Sequence, residues 1–207
     1  MKGGKLVKVC GMTDGENIRA VEALGVDLIG FIFYPRSPRC VQALPDYLPE
    51  RAQRVGVFVD AGYDEIMRRR EAFGLQYVQL HGSESPELGR RLRAEGVRVV
   101  KAFGIDADAP ALPGPDCEWE KACDLYLFDT RSRAYGGSGQ SFDWSVLDRY
   151  EGQLPFLLSG GIGPEMYSKV KTIEHKMFAG VDLNSRFESS PGIKDISKLA
   201  VFLDGLF

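Results

Sequence analysis

Histidine is scarce: His81 and His175 are the only two in 207 residues. Two imidazoles cannot build a polyhistidine metal centre. Without a G-x-S-x-G turn they do not read as part of a hydrolase triad either. Cysteine is little more common. Cys10, Cys40, Cys117 and Cys123 are scattered with no C-x-x-C pair, which suggests neither a disulfide framework nor a zinc knuckle. There is no excess of positive charge: 26 Lys and Arg stand against 29 Asp and Glu, for a net charge of −3. Nothing therefore marks a nucleic-acid or membrane-surface partner. The densest basic run, MRRREAF at 67–73, lies in a helical pattern and reads as a solvated helix face. No apolar stretch approaches the roughly 20 residues of a transmembrane helix. The run behind Lys2 and Lys5 is too short and interrupted for a signal peptide, so the expected location is cytoplasmic.

What the chain does have is a repeating alternation. Short, continuous apolar runs begin near Leu6, Leu28, Val55, Tyr77, Val97, Leu125, Phe156 and Met177. Continuous runs of this kind suit parallel strands buried on both faces. Helical patterns lie between them. One opens on Asp14 as an N-cap and stops at Gly25; others have Pro86 and Pro164 in their first turns. Two connections are weaker: a proline-rich stretch before Leu125, and a glycine-rich loop, 134–142, that reads as either a lid or a flexible connection. Eight such units over residues 1–207, with no linker, predict one (β/α)8 barrel with short or irregular fifth and sixth helices. A doubly wound open sheet fits less well. Its first turn would carry G-x-G-x-x-G, where this chain has Cys10-Gly11-Met12-Thr13.

In a barrel of this kind function lies in the loops at the C-terminal ends of the strands. Those positions hold Cys10, Arg36 and Arg39, Asp60, His81, Asp129, Ser159 with Gly160 and Gly161, and Asp182. Cys10 is either a small hydrophobe or a base or nucleophile at the barrel mouth. Asp129 closes an otherwise apolar strand, a place that tends to raise a carboxyl pKa and suits a general acid; its alternative is a helix cap or salt-bridge partner. Arg36 and Arg39 are each a surface arginine or a bidentate carboxylate binder. The LLSGGIGPE segment, 157–165, offers backbone N–H groups and a helix start to an anion, with 180–188 as its other wall. His81 alone reads as a structural histidine facing the same mouth.

The strings KVCGMT, GFIFYPRSPR, VGVFV, VQLHG, FDT, YGGSGQSFDW, LSGGI and GVDLNSRFE…PGIKD occur in the order and at the strands of one family. Over nearly its whole length the chain resembles the phosphoribosylanthranilate isomerases. The resemblance implies a cofactor-free Amadori rearrangement of a phosphosugar, N-(5-phosphoribosyl)anthranilate, to 1-(2-carboxyphenylamino)-1-deoxyribulose 5-phosphate. It assigns Cys10 as general base, Asp129 as general acid and Arg39, not Arg36, to the anthranilate carboxylate. The phosphate would rest on Gly160, Gly161 and the turn after Asp182, near Asn184 and Ser185; His81 joins the substrate-binding set. Gly11 would leave room for substrate. A monomer or a homodimer is expected, with no metal. One departure stands out: many members carry a Ser-Ser-Gly-Val-Glu-like run where this chain has NSRFE, 184–188, which adds Arg186 beside the phosphate turn.

Related chemistries fit less well. The histidine-pathway isomerase family resembles the fold but has an aspartate at the position of Cys10 and two phosphate turns of similar design. Indole-3-glycerol-phosphate synthase needs strand-end lysines, whereas Lys8 and Lys101 lie within strands. A non-catalytic phosphosugar binder would keep LSGGI without needing both a base and an acid. The enzyme reading requires Cys10 and Asp129 to face one cavity with the phosphate turn at one end.

Overall fold

The computed structural model describes residues 4–106, 111–131 and 144–206. Eight parallel strands close into a barrel in sequence order: β1 Leu6–Cys10, β2 Leu28–Ile32, β3 Gln53–Phe58, β4 Tyr77–Leu80, β5 Arg98–Asp106, β6 Leu125–Arg131, β7 Phe156–Ser159 and β8 Phe178–Leu183. Every strand starts within two residues of its apolar run. A short antiparallel pair follows, β9 Glu188–Ser190 and β10 Ile193–Lys194.

Helices α1 Gly15–Ala23, α2 Tyr63–Phe73, α3 Pro86–Ala94, α4 Tyr167–Lys171 and α5 Ile196–Leu206 pack outside the barrel. The Asp14 carboxylate accepts the Asn17 N–H at 2.8 Å, as an N-cap does, and Ser85 caps α3 just ahead of Pro86. After β5 and β6 the described residues hold only 3₁₀ turns, Glu118–Lys121 and Trp144–Arg149, in place of full helices. The glycine-rich loop 134–142 lies outside the described residues.

One expected helix is missing. Between β2 and β3 the chain runs as turns and irregular backbone. Pro35, Pro38, Pro45 and Pro49 explain this: each lacks an N–H and clashes with a preceding helical turn. The segment is tied down from α1 instead. The buried Glu22 carboxylate accepts the backbone N–H groups of Arg51 and Ala52 at 2.7 and 2.8 Å and the Tyr47 hydroxyl. These donors outweigh the effect of burial and hold the Glu22 pKa below its ordinary value.

The main apolar core lies between the barrel wall and the outer layer. A second cluster, including Leu28, Val55, Tyr77, Val100, Leu127 and Leu157, fills the barrel itself. Above this plug the inward positions turn polar. Side chains alternate along a strand, so in β1 Lys8 and Cys10 face inward together. Closure sets β1 beside β8 with Lys8 opposite Asp182, and β2 beside β1 with Gly30 opposite Cys10.

Candidate active site

At the C-terminal mouth of the barrel, Cys10, His81, Asp129, Ser159, Gly160, Gly161, Asp182, Asn184, Ser185 and Arg186 line one cavity of about 320 Å³. Its floor includes Gln79, which is 1% exposed. Arg39 stands behind this wall, Arg36 is exposed, and neither is among the lining residues. Asp60 is also outside: its carboxylate accepts the Ser83 N–H at 2.7 Å and organises the turns after β3 and β4.

Cys10 ends β1 with its thiol against Gly30, where any Cβ would lie 2.7 Å from the sulfur. Burial pushes the thiol above its ordinary pKa; Lys8 and Lys194 pull it back, and Asp182 adds to the rise. Gly11 has φ +77°, and the space beside it is taken by Arg39 Cδ and Asn184 Oδ1, 2.7 and 2.9 Å from where a Cβ would be. The room at Gly11 therefore serves protein side chains rather than substrate. Its N–H and that of Met12 both donate to the Gly30 carbonyl, at 2.9 and 3.0 Å, which fixes the turn.

Asp129 is less enclosed than its apolar strand suggests, with a side-chain exposure of 23%. Its Oδ2 lies 3.5 Å from His81 Nε2, because β6 and β4 both end at this rim. The Gln79 amide and His81 Nδ1 lie 2.9 Å apart, a hydrogen bond that ties the imidazole beside Asp129 to the barrel floor. His81 is therefore part of the acid's surroundings rather than a separate structural group.

Gly160 and Gly161 have φ of +91° and +66°. Successive residues in this region turn their N–H groups toward one side, a shape that accepts anions. The helix behind them contributes less than the sequence suggested, being a 3₁₀ turn, Pro164–Met166, followed by the five-residue α4. Arg186 lies across the cavity mouth, 3.8 Å from Glu165 and well exposed.

Arg39 meets Glu188 in a bidentate pair: Nε to Oε1 at 2.8 Å and Nη2 to Oε2 at 2.6 Å. Glu188 also accepts from the buried Lys194 ammonium at 2.6 Å, and Lys194 donates to Asn184 Oδ1 at 2.8 Å. Asn184, expected beside the phosphate, thus lines the cavity while its amide oxygen is held by Lys194. Asp182, expected in the same turn, points into the barrel, where Oδ1 pairs with Lys8 Nζ at 2.9 Å and Oδ2 lies 3.4 Å from Ser159 Oγ. Among the described residues no cluster of three or more His, Cys, Asp or Glu could hold a metal ion. No described helix is long and apolar enough to cross a membrane.

The chain as a whole has counterparts among known proteins. The family model described as N-(5'-phosphoribosyl)anthranilate (PRA) isomerase matches residues 7–205. The chain belongs to the phosphoribosylanthranilate isomerase family. It is 46% identical over 201 residues to the N-(5'-phosphoribosyl)anthranilate isomerase of Phocaeicola vulgatus, covering 97% of each chain. The crystal structure of the Thermotoga maritima phosphoribosyl anthranilate isomerase superposes with a TM-score of 0.75 at 33% identity, covering 98% of each chain. A phosphoribosyl anthranilate isomerase in complex with reduced 1-(o-carboxyphenylamino)-1-deoxyribulose 5-phosphate matches at a TM-score of 0.73 and 31% identity, over 98% of each chain. The family's enzymes are isomerases of tryptophan biosynthesis acting by an aldose–ketose type rearrangement.

Sequence reasoning missed three charged members of this site. Lys8 shares the inward face of β1 with Cys10, a placement the two-residue period signals. Glu188 and Lys194 carry no such local signal, since only the β9–β10 pair brings them back beneath the mouth.

Proposed function

We propose that this chain isomerises N-(5'-phosphoribosyl)anthranilate with Cys10 as general base and Asp129 as general acid. The observation that carries the reading is the shared cavity: thiol, carboxyl and the Gly160–Gly161 cradle all line it. With the phosphate on the backbone N–H groups of Gly160 and Gly161, and Arg186 adding charge at the rim, the ribose lies between Cys10 and Asp129. Asp129 gives its proton to the ring oxygen. The C1–O bond breaks, and the anthranilate nitrogen becomes a cationic Schiff base at C1. That cation favours ionisation of Cys10, whose thiol proton, otherwise retained by burial, passes to solvent in the open cavity, from which Asp129 regains its own. The thiolate removes the C2 proton to give an enolamine. The enolamine takes up a proton at C1 and releases the C2 hydroxyl proton, leaving the ketone. Arg39 supplies the charge for the anthranilate carboxylate, with its Nε–Nη2 edge already held by Glu188. Gln79 and His81 orient Asp129.

Every group in this scheme lies on one chain, so a monomer or a homodimer serves equally. All four cysteines are free, which fits a reducing compartment and supports placing the enzyme in the cytoplasm. The test is a fluorescence assay on freshly generated phosphoribosylanthranilate with wild type, Cys10→Ala and Asp129→Asn. General acid–base groups contribute about 10²–10⁴-fold, so each folded variant should lose at least about a hundredfold in rate. A folded Cys10→Ala protein with near-wild-type turnover would remove the thiol from the mechanism.

A further inference from the structure

We propose that Lys8 is a positioning residue for the isomerisation: its buried ammonium, anchored by Asp182 on the barrel floor, is the charge that receives the Cys10 thiolate. The proposal rests on the reading of Cys10 as the base.

Three observations converge on it. The first is placement. Lys8 and Cys10 point inward from β1 two residues apart, on the order of 6.6 Å along the strand, close enough inside the barrel for each charge to act on the other. The second is enclosure. Lys8 is 0% exposed, so its charge is not screened by water and must be answered inside the barrel. Asp182 answers it from β8: Oδ1 takes Lys8 Nζ at 2.9 Å, and Oδ2 lies 3.4 Å from Ser159 Oγ on β7.

The third is the charge balance around the sulfur. Lys8 and Asp182 face it from β1 and β8, and Lys194 from β10. Arg39, from the β2–β3 connection, also interacts with it, and Glu188 is shared between Arg39 and Lys194. Three cations against two carboxylates leave one positive charge, which a thiolate neutralises. Asp129 and His81 stand with each other at the rim. Arg39 and Lys194 share Glu188 and carry the surplus charge of the set, while Lys8, paired with Asp182, is the one of the three on the strand and face of Cys10.

A lysine–aspartate pair joining β1 to β8 is also a mechanical strut. The two roles separate in the titration of the thiol, which needs no substrate. Alkylation of Cys10 by iodoacetamide is followed by peptide mass spectrometry from about pH 6 to about pH 10, bracketing the ordinary thiol pKa near 8.5. The full-length chain is used as wild type, Lys8→Met, Asp182→Asn and the double variant Lys8→Met/Asp182→Asn, which leaves neither charge unpaired. A neighbouring opposite charge shifts a pKa by about 1–3 units. Loss of Lys8 should therefore slow Cys10 alkylation near neutral pH by at least about tenfold, and Asp182→Asn should speed it. The double variant should titrate above wild type, which decides the matter if Lys8→Met does not fold.

With phosphoribosylanthranilate, folded variants lacking Lys8 should lose kcat with little change in KM. An unchanged thiol titration in every folded variant, or faster alkylation without Lys8, would make the pair a strut and overturn the proposal. If Cys10→Ala retains full turnover while the titration order holds, the base reading fails but Lys8 still governs the thiol. The two failures are thus read apart.

Discussion

At Gly30 a hydrogen stands where any other residue would place a carbon 2.7 Å from the Cys10 sulfur and 3.1 Å from its Cα. Adjacent strands in register bring their side chains into contact, so an inward thiol at the mouth requires an empty position on β2. Gly30→Ala should keep the barrel folded, at an overpacking cost of about 1–3 kcal/mol, and move the thiol. Because displacement by a fraction of an ångström matters to proton transfer, kcat/KM should fall by at least about tenfold. Circular dichroism and the isomerase assay together check this; unchanged kinetics in Gly30→Ala would show that the thiol's position at rest is not the one used. Two residues of one motif differ in the same way: Arg39 is held through its Nε–Nη2 edge by Glu188, whereas Arg36, three residues earlier, is exposed.

At the scale of elements, the proline-rich β2–β3 connection takes the place of a helix, and Glu22 of α1 provides the hydrogen bonds a helix would have made internally. Glu22→Ala would strand two backbone donors, one of them on the buried Ala52, and the Tyr47 hydroxyl. A loss of about 2–4 kcal/mol is expected in urea denaturation, with faster proteolysis within 42–52. The folded pKa of Glu22 is depressed, so this contribution is complete above the ordinary carboxylate value of about 4.3 and fades as pH falls through the folded value. The stability difference between wild type and variant should therefore narrow at low pH. Equal stability at neutral pH would contradict this account of the connection. The strands were legible because a buried parallel strand needs a continuous apolar run, and so were the cap at Asp14 and the helix start at Pro86. The missing helix was less visible. Its four prolines are spread over fifteen residues, and the carboxylate that replaces it lies in another element.

For the whole molecule, closure of the barrel is what assembles the site. Lys8 meets Asp182 174 residues away, and Arg39 meets Glu188 across 149. The strand-end residues Cys10, His81, Asp129, Gly160 and Gly161 could be read from the chain because a (β/α)8 barrel sends every strand's C-terminal end to one face. The ionic layer beneath them could not. Nothing near Lys194 in the sequence points to Cys10, and only the register of β8 against β1 sets Asp182 opposite Lys8.

In the proposed complex, substrate lies in this cavity with its phosphate on Gly160 and Gly161 and its sugar between thiol and carboxyl. A crystal structure of the chain with reduced 1-(o-carboxyphenylamino)-1-deoxyribulose 5-phosphate tests it most directly. The account predicts phosphate oxygens about 2.7–3.2 Å from the backbone nitrogens of Gly160 and Gly161. The ribulose C2 should face Cys10 Sγ, and Asp129 should lie against the opposite side of the sugar. A phosphate bound away from these glycines, or a sugar touching only one of Cys10 and Asp129, would contradict it.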